Sequence, residues 1–297
     1  MSTLNLLKII FIPALDGDFA GGYDNIKEKG PITPPWPPKR GTAAGGYNKK
    51  ESQTMRIIQT ENYEAMSKQT AALIAAQVVA KPDCVLGLAT GSTPIGAYEQ
   101  LVRWHREEGL SFARVRSVNL DEYYGLAPDH DQSYRYFMRT NLFDHVDILP
   151  ENTNVPNGLA PDPETECARY DALMEALGWT DLQLLGLGHN GHIGFNEPGP
   201  TFVLPTHLVD LTESTINANS RLFASRDEVP RQALTMGIRG IMRARRVLVA
   251  VSGADKAEAV AKSFAGPVTP EVPASILQLH PDVVLVGDRA ALSKLNV

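Results

Sequence analysis

Cysteine is close to absent from this chain: Cys84 and Cys167 are the only two in 297 residues. Two thiols build neither a disulfide framework nor a thiolate metal cluster, and such sparing use fits a reducing compartment. The simplest reading of both is a pair of small buried side chains. A basic excess is missing as well. With 28 Lys and Arg against 34 Asp and Glu, the formal charge is -6. That excludes the broad basic surface that nucleic acid or an anionic membrane requires. An anionic ligand must therefore be captured locally. No apolar run approaches the ~18 residues of a membrane span. The apolar stretch 4–15 is broken by Lys8 and Pro13, lacks a convincing cleavage site and does not read as a signal peptide. A cytoplasmic protein is expected, with a small molecule as partner and no nucleic acid or membrane; a homo-oligomer is left open.

What is present divides the chain in two. Residues 1–54 are dense in Gly, Pro and charge over GDFAGGYDNIKEKGPITPPWPPKRGTAAGGYNKKESQT. Such composition cannot bury enough apolar area to offset chain entropy, so 1–54 reads as a disordered extension. From Met55 the texture changes. Residues 55–297 read as a single α/β catalytic domain, long enough for a full core.

MRIIQT predicts a short strand, and Asn62 predicts the N-cap of a helix in which Tyr63, Met66, Thr70, Leu73, Ile74 and Val78 recur at helical spacing until Lys81-Pro82. Five short apolar runs follow, at 84–89, 115–120, 182–187, 247–251 and 283–286, each bounded by Gly, Asp or Ser. They predict strands buried on both faces, the pattern of a parallel sheet. Helical segments are expected at about 94–108, 131–143, 163–177, 227–243 and 254–264. The alternation implies an open, mostly parallel sheet with helices on both faces, Rossmann-like, with right-handed crossovers. In such folds ligands bind beyond the carboxyl ends of the strands.

Three segments there carry chemistry. The first strand of the apolar series runs into Thr90-Gly91-Ser92-Thr93-Pro94 before a helix. Pro94 suits the first helical position, Ser92 or Thr93 can cap, and Gly91 lets the backbone approach a ligand. Free N–H groups with two hydroxyls make a phosphate site; a plain capped turn is the competing reading. In Asn119-Leu120-Asp121-Glu122-Tyr123, adjacent carboxylates stand where a buried strand ends. Desolvation there can raise a carboxyl pKa and yield a base that moves protons on carbon, whereas either acid alone could simply cap the next element.

The densest segment is GLGHNGHIGFNEPG at 186–199, with five glycines, two histidines, two amides and one carboxylate. Only a specialised loop explains that composition. His192 can exchange protons with a sugar ring oxygen, and Glu197 can orient the imidazole and support its cation. A zinc reading of His189, His192 and Glu197 is disfavoured because the glycines prevent the helical presentation of an HExxH site. Arg221 and Lys256 are two further cations, and either could complete a phosphate cage with the Gly91 loop.

Taken together, LATGSTP (88–94), NLDEYYGL (119–126), SYRYFMRTNLFDHVDI (133–148), GLGHNGHIGFNEPG (186–199), ANSRLF (218–223) and ILQLHP (276–281) resemble the glucosamine-6-phosphate deaminase family in order and spacing. The match runs from about 55 to 292. The resemblance implies conversion of glucosamine 6-phosphate and water into fructose 6-phosphate and ammonia, with no metal or organic cofactor. It implies that Asp121 takes the C2 proton and returns it at C1, and that His192, assisted by Glu197, opens the pyranose ring. Ser92, Thr93, Arg221 and Lys256, with the backbone at Gly91, would hold the 6-phosphate. One branch of the family has Asp where this chain has Asn190, so here an amide is expected to help Glu197 orient the histidine. Two alternatives share parts of this pattern: a 6-phosphogluconolactonase-like hydrolase, which needs no base for C2, and a sugar-phosphate-sensing regulator domain, which should carry a DNA-binding helix pair.

Overall fold

The computed structural model describes residues 55–220, 223 and 225–295; the expected extension 1–54 and Arg221 lie outside the described residues. Strand β1 (Arg56–Thr60) leads into α1 (Tyr63–Ala80), whose cap is Asn62: its side-chain oxygen accepts from Ala65 N at 2.9 Å. Of the positions picked out by spacing, Met66, Thr70, Ile74 and Val78 are buried on the inner face of α1, with Ala71 and Ala75 beside them, whereas Leu73 is half-buried and Tyr63 is exposed at the first turn. Next come β2 (Val85–Leu88), α2 (Ile95–Glu108), β3 (Arg116–Asn119) and β4 (Asp121–Tyr123). After α3 (Tyr134–Asn141), β5 (Thr153–Asn154), α4 (Pro163–Ala176) and β6 (Leu182–Leu185) the chain enters the glycine-rich loop.

The remainder comprises β7 (His207–Asp210), α5 (Glu213–Asn219), β8 (Gln232–Thr235), α6 (Ile238–Met242), β9 (Val247–Val251), α7 (Ala257–Phe264) and β10 (Val283–Asp288). Seven strands form one sheet in the order β1-β10-β9-β6-β2-β3-β5, and every pairing in it is parallel. All residues of β2, β6, β9 and β10 are buried, which requires cover on both faces and explains their unbroken apolar runs. From β2 the chain steps outward through β3 to β5, then returns to β6 on the other side of β2 and steps outward through β9 to β10. The β2/β6 boundary is thus a topological switch point, where a crevice opens beyond the strand ends.

The segment expected as one helix over 227–243 is instead β8 followed by the five-residue α6. Pro230 and Gly237 interrupt the helical pattern, and Gln232–Thr235 is captured by tertiary pairing. β8 joins β4 and β7 in a second, antiparallel sheet, Asp121 opposite Thr235 and His207 opposite Thr235 on the other side. A small apolar cluster of Tyr123, Phe195, Leu211, Ile216, Val229 and Ala233 sits against that sheet, apart from the main core. The sheets are stitched together at Leu120, whose N–H donates to Leu88 O at 3.2 Å while its carbonyl accepts from Met236 N at 2.6 Å.

Candidate active site

At the switch point lies a cleft of about 680 Å³, lined by the segments that follow β2, β3 and β6, by Lys256 beyond β9 and by aromatic side chains of the small sheet and α3. Thr90, Gly91, Ser92, Thr93, Asp121, His189, Asn190, His192 and Lys256 all face it. Segments separated by more than 160 residues therefore converge on one cavity, because parallel strands deliver all their carboxyl ends to the same edge.

The turn after β2 is held from behind by two tyrosines. Tyr98 Oη donates to Ala89 O at 2.6 Å, and Tyr63 Oη donates to Ser92 O at 3.1 Å while accepting from Gly96 N at 3.0 Å. Gly91 has φ of 90°, a left-handed conformation open to glycine at no steric cost. The helix begins one residue later than expected: Pro94 is the cap residue of α2, and neither Ser92 nor Thr93 caps it through its side chain. Proline has no side-chain acceptor, so the first turn keeps its positive end uncapped and both hydroxyls remain for a ligand.

Asp121 and Glu122 divide the two readings offered for the acidic pair. Consecutive strand residues point to opposite sides. Glu122 turns away from the cleft and caps α3, accepting from Ser133 Oγ (2.9 Å), Tyr134 N (2.9 Å) and Arg135 N (3.0 Å). Asp121 faces the cleft, and among the described residues its carboxylate accepts no hydrogen bond. Burial, with Glu122 adding like-charge repulsion, pushes its carboxyl up to about 8. A group of that kind is a base strong enough to remove a proton from carbon.

The glycine-rich loop folds back on itself. Gly188 N donates to His192 O at 3.0 Å, and Asn196 Nδ2 donates to Ile193 O at 2.8 Å and Met236 O at 2.9 Å. The His192 ring lies directly over Gly188: a Cβ there would come within 2.4 Å of Nε2 and Cδ2, so any side chain would displace the imidazole. His192 Nδ1 faces Glu197 Oε2 at 3.4 Å, an electrostatic contact whose geometry falls short of a hydrogen bond. With Nδ1 so directed, Nε2 is the nitrogen available to a ligand. Burial pushes the Glu197 carboxyl up, but His192 together with hydrogen bonds from Thr215 and Asn190 outweighs it and holds the group at about 2. Glu197 is thus a fixed anion behind the imidazole.

Asn190 acts differently from the expected amide on the ring. Its Nδ2 donates to Glu197 Oε2 at 2.7 Å, and its Oδ1 accepts from the backbone N–H of His192 at 3.1 Å. It orients the carboxylate and the main chain, not the imidazole. Thr215, from α5, donates to Glu197 Oε1 at 2.6 Å and had no sequence signal, since a threonine eighteen residues away in another element carries no motif. Tyr123, Tyr134 and Phe195 form an aromatic wall beside Asp121; Tyr134 and Phe195 stack with centroids 6.0 Å apart. The loop and Asp121 meet at Gly194, where a Cβ would lie 3.5 Å from Asp121 Oδ2.

Lys256 closes the opposite side. Asp288, at the end of β10, accepts from Ser252 Oγ and from Gly253 N (3.1 Å), which fixes the turn that delivers Lys256 to the cleft. His189 turns to Asp255 while His192 turns to Glu197, so the residues of the zinc reading do not converge. Among the described residues no three His, Cys, Asp or Glu side chains form a metal-holding group.

A sequence model of the family described as glucosamine-6-phosphate isomerases/6-phosphogluconolactonase matches residues 59–285. The chain belongs to this family. Within it, a protein of Lachnoclostridium phytofermentans called glucosamine-6-phosphate deaminase is 56% identical over 232 residues, 78% of this chain and 98% of that one. One of the same name from Clostridium perfringens is 56% identical over 242 residues, covering 82% of this chain and all of the relative. Among solved structures, a monomeric glucosamine-6-phosphate deaminase superposes with a TM-score of 0.79 at 50% identity, over 81% of this chain and all of that one. A 6-phosphogluconolactonase from Trypanosoma brucei superposes at 0.65 with 20% identity over 82% and 99% of the two chains, a likeness of fold alone.

Proposed function

We propose that this protein is an aldose-ketose isomerase and deaminase that converts glucosamine 6-phosphate and water into fructose 6-phosphate and ammonia. The observation that carries the reading is the pairing, across one cleft, of a buried Asp121 carboxyl, which accepts no hydrogen bond among the described residues, with the His192–Glu197 couple. A lactone hydrolase has no carbon acid to deprotonate and leaves Asp121 without a task. Relatives at 50–56% identity bearing the deaminase name support the same choice over the lactonase.

The phosphate is assigned to the uncapped turn at Gly91, Ser92 and Thr93 and to Lys256. Burial lowers the Lys256 pKa, and neighbouring Asp255 works against that fall. Anchored there, the sugar presents its ring to the catalytic wall. His192 protonates the ring oxygen as the anomeric hydroxyl is deprotonated, which breaks the C1–O5 bond and gives the open-chain amino aldehyde. Glu197 stabilises the imidazolium this shuttle passes through. The new C1 carbonyl acidifies C2. Asp121 removes the C2 proton while O1 takes back, from the His192 imidazolium, the proton it lost on ring opening; the enolamine so formed then receives the Asp121 proton at C1. The resulting imine at C2 adds water and expels ammonia, leaving the ketone. Each carbon and proton is accounted for without an electron carrier. Asp121 stands at about 8 in the free protein; the substrate's cationic amine at C2 lowers it on binding and so helps ionise the base.

We assign the catalytic domain to residues 55–297 and the protein to the cytoplasm, a reducing setting suited to the buried free thiols Cys84 and Cys167. Ammonia and fructose 6-phosphate release from glucosamine 6-phosphate, with C2 proton exchange followed in deuterated water, tests the function. Lactone hydrolysis without either product would overturn it.

A further inference from the structure

The residue before Asn190 in the glycine-rich loop has a second network of its own. His189 Nε2 lies 2.6 Å from Asp255 Oδ2, and His189 Nδ1 lies 3.3 Å from Lys256 Nζ. An ionised carboxylate only accepts hydrogen bonds, and the His189 hydrogen bond holds Asp255 below the usual carboxylate range. Nε2 therefore carries the proton. An ammonium only donates, so Nδ1 must present its lone pair. Both contacts demand the same neutral tautomer, and neither is compatible with the other one. Lys256 Nζ also donates to Leu187 O at 2.9 Å. Two of its three N–H bonds are thus taken up by acceptors at the end of β6, and the tetrahedral nitrogen has one direction left.

We propose that His189, its tautomer fixed by Asp255, is a positioning residue for Lys256: its Nδ1 and the Leu187 carbonyl together aim the remaining ammonium N–H into the cleft at the substrate phosphate. This rests on the assignment of Lys256 to the phosphate. Lysine is a flexible point charge whose four-carbon stem ordinarily loses much rotamer entropy when it binds. Holding the ammonium in place before the ligand arrives removes part of that cost from binding. The network also ties the turn after β9 to the loop that carries His192, so the phosphate grip and the ring-opening group share one framework.

The test compares His189→Ala, His189→Asn, Lys256→Met and the His189→Ala/Lys256→Met double variant in the full-length chain. Steady-state kinetics with glucosamine 6-phosphate are measured alongside competitive inhibition by inorganic phosphate. His189→Ala should raise KM and the phosphate inhibition constant together by about tenfold, the worth of one hydrogen bond to a charged group, and lower kcat far less. His189→Asn puts an amide oxygen where Nδ1 was and should recover most of the loss. In the Lys256→Met background His189→Ala should add nothing. Unchanged KM and phosphate inhibition in His189→Ala would overturn the proposal, as would an equal loss in the Lys256→Met background, which would mean that His189 meets the ligand itself. An Asn variant as impaired as the Ala variant overturns it too. If Lys256→Met itself leaves both constants at wild-type values, the phosphate assignment fails instead.

Discussion

The two walls of the cleft each bury a carboxyl group, and the two groups are driven in opposite directions. Asp121 rises to about 8 and Glu197 falls to about 2. Burial raises both. The difference lies in what surrounds them: among the described residues Asp121 has only Glu122 as a charged neighbour that shifts it, whereas Glu197 has His192, Thr215 and Asn190. One environment stores a proton acceptor of high basicity, and the other stores a permanent anion. Divergent pKa values within a single site separate the roles of chemically similar residues, so the partners of a carboxylate and not its burial decide which job it can do.

The sharpest way to break that comparison is Asp121→Asn. It should cut kcat by about 10²–10⁴-fold or more and abolish exchange of the C2 proton with solvent, while inorganic phosphate still binds. A variant that exchanges the proton at near wild-type rate removes Asp121 from the role of carbon base. His192→Gln attacks the other wall. Its loss, on the order of 10²-fold, should shrink when an open-chain substrate analogue is supplied, because ring opening is then bypassed. An equal loss on both substrates would place His192 in a later step. A smaller effect is expected for Thr215→Val, which strips one donor from Glu197: about tenfold in kcat from a lost charge-assisted hydrogen bond, with little change in KM.

The walls should also titrate with opposite signs. The folded Asp121 keeps its proton from its ordinary value of 3.8 up to about 8. Its favourable contribution is complete below the lower value and is lost as pH rises through the upper one. Glu197 does the reverse, stabilising above its ordinary 4.5 and losing that contribution as pH falls towards about 2. Melting curves of the wild type and Asp121→Asn should therefore separate by several degrees at pH 9, the variant being higher, and converge near pH 4. Curves that stay parallel from pH 4 to 9 would show that the carboxyl titrates in its ordinary range. In kinetics, kcat/KM should climb with pH towards about 8, and kcat should level off at lower pH once the substrate cation has ionised the base. Removal of residues 1–54, whose composition predicts no contribution to the core, should leave activity and melting temperature unchanged, and a fall of several degrees would mean that the segment docks.

Much of this was legible in residue order. The apolar runs specified the parallel strands because strands covered on both faces need no alternation, and Asn62 announced α1 through the chemistry of its side chain. The composition of 186–199 marked a site because no regular element is built from five glycines. Other features had no local signature. Gln232–Thr235 is a strand only because β4 and β7 flank it, and the helical pattern across 227–243 concealed it. Ser92 and Thr93 looked like caps until the helix began after Pro94.

The sequence by itself determined the sheet type, the open turn at Gly91, the glycine-rich loop and the identity of Asp121, His192 and Glu197 as candidates, since each is written in short-range pattern and composition. Tertiary structure decided which acid of the Asp121–Glu122 pair faces the cleft, which groups flank Glu197 and where Lys256 points. Those outcomes depend on desolvation and on partners from distant segments: Ser133 claims Glu122, Thr215 claims Glu197 and His189 claims Lys256. A side chain's charge state in a protein is set by what lies within a few ångströms of it, and chain neighbours supply only part of that shell.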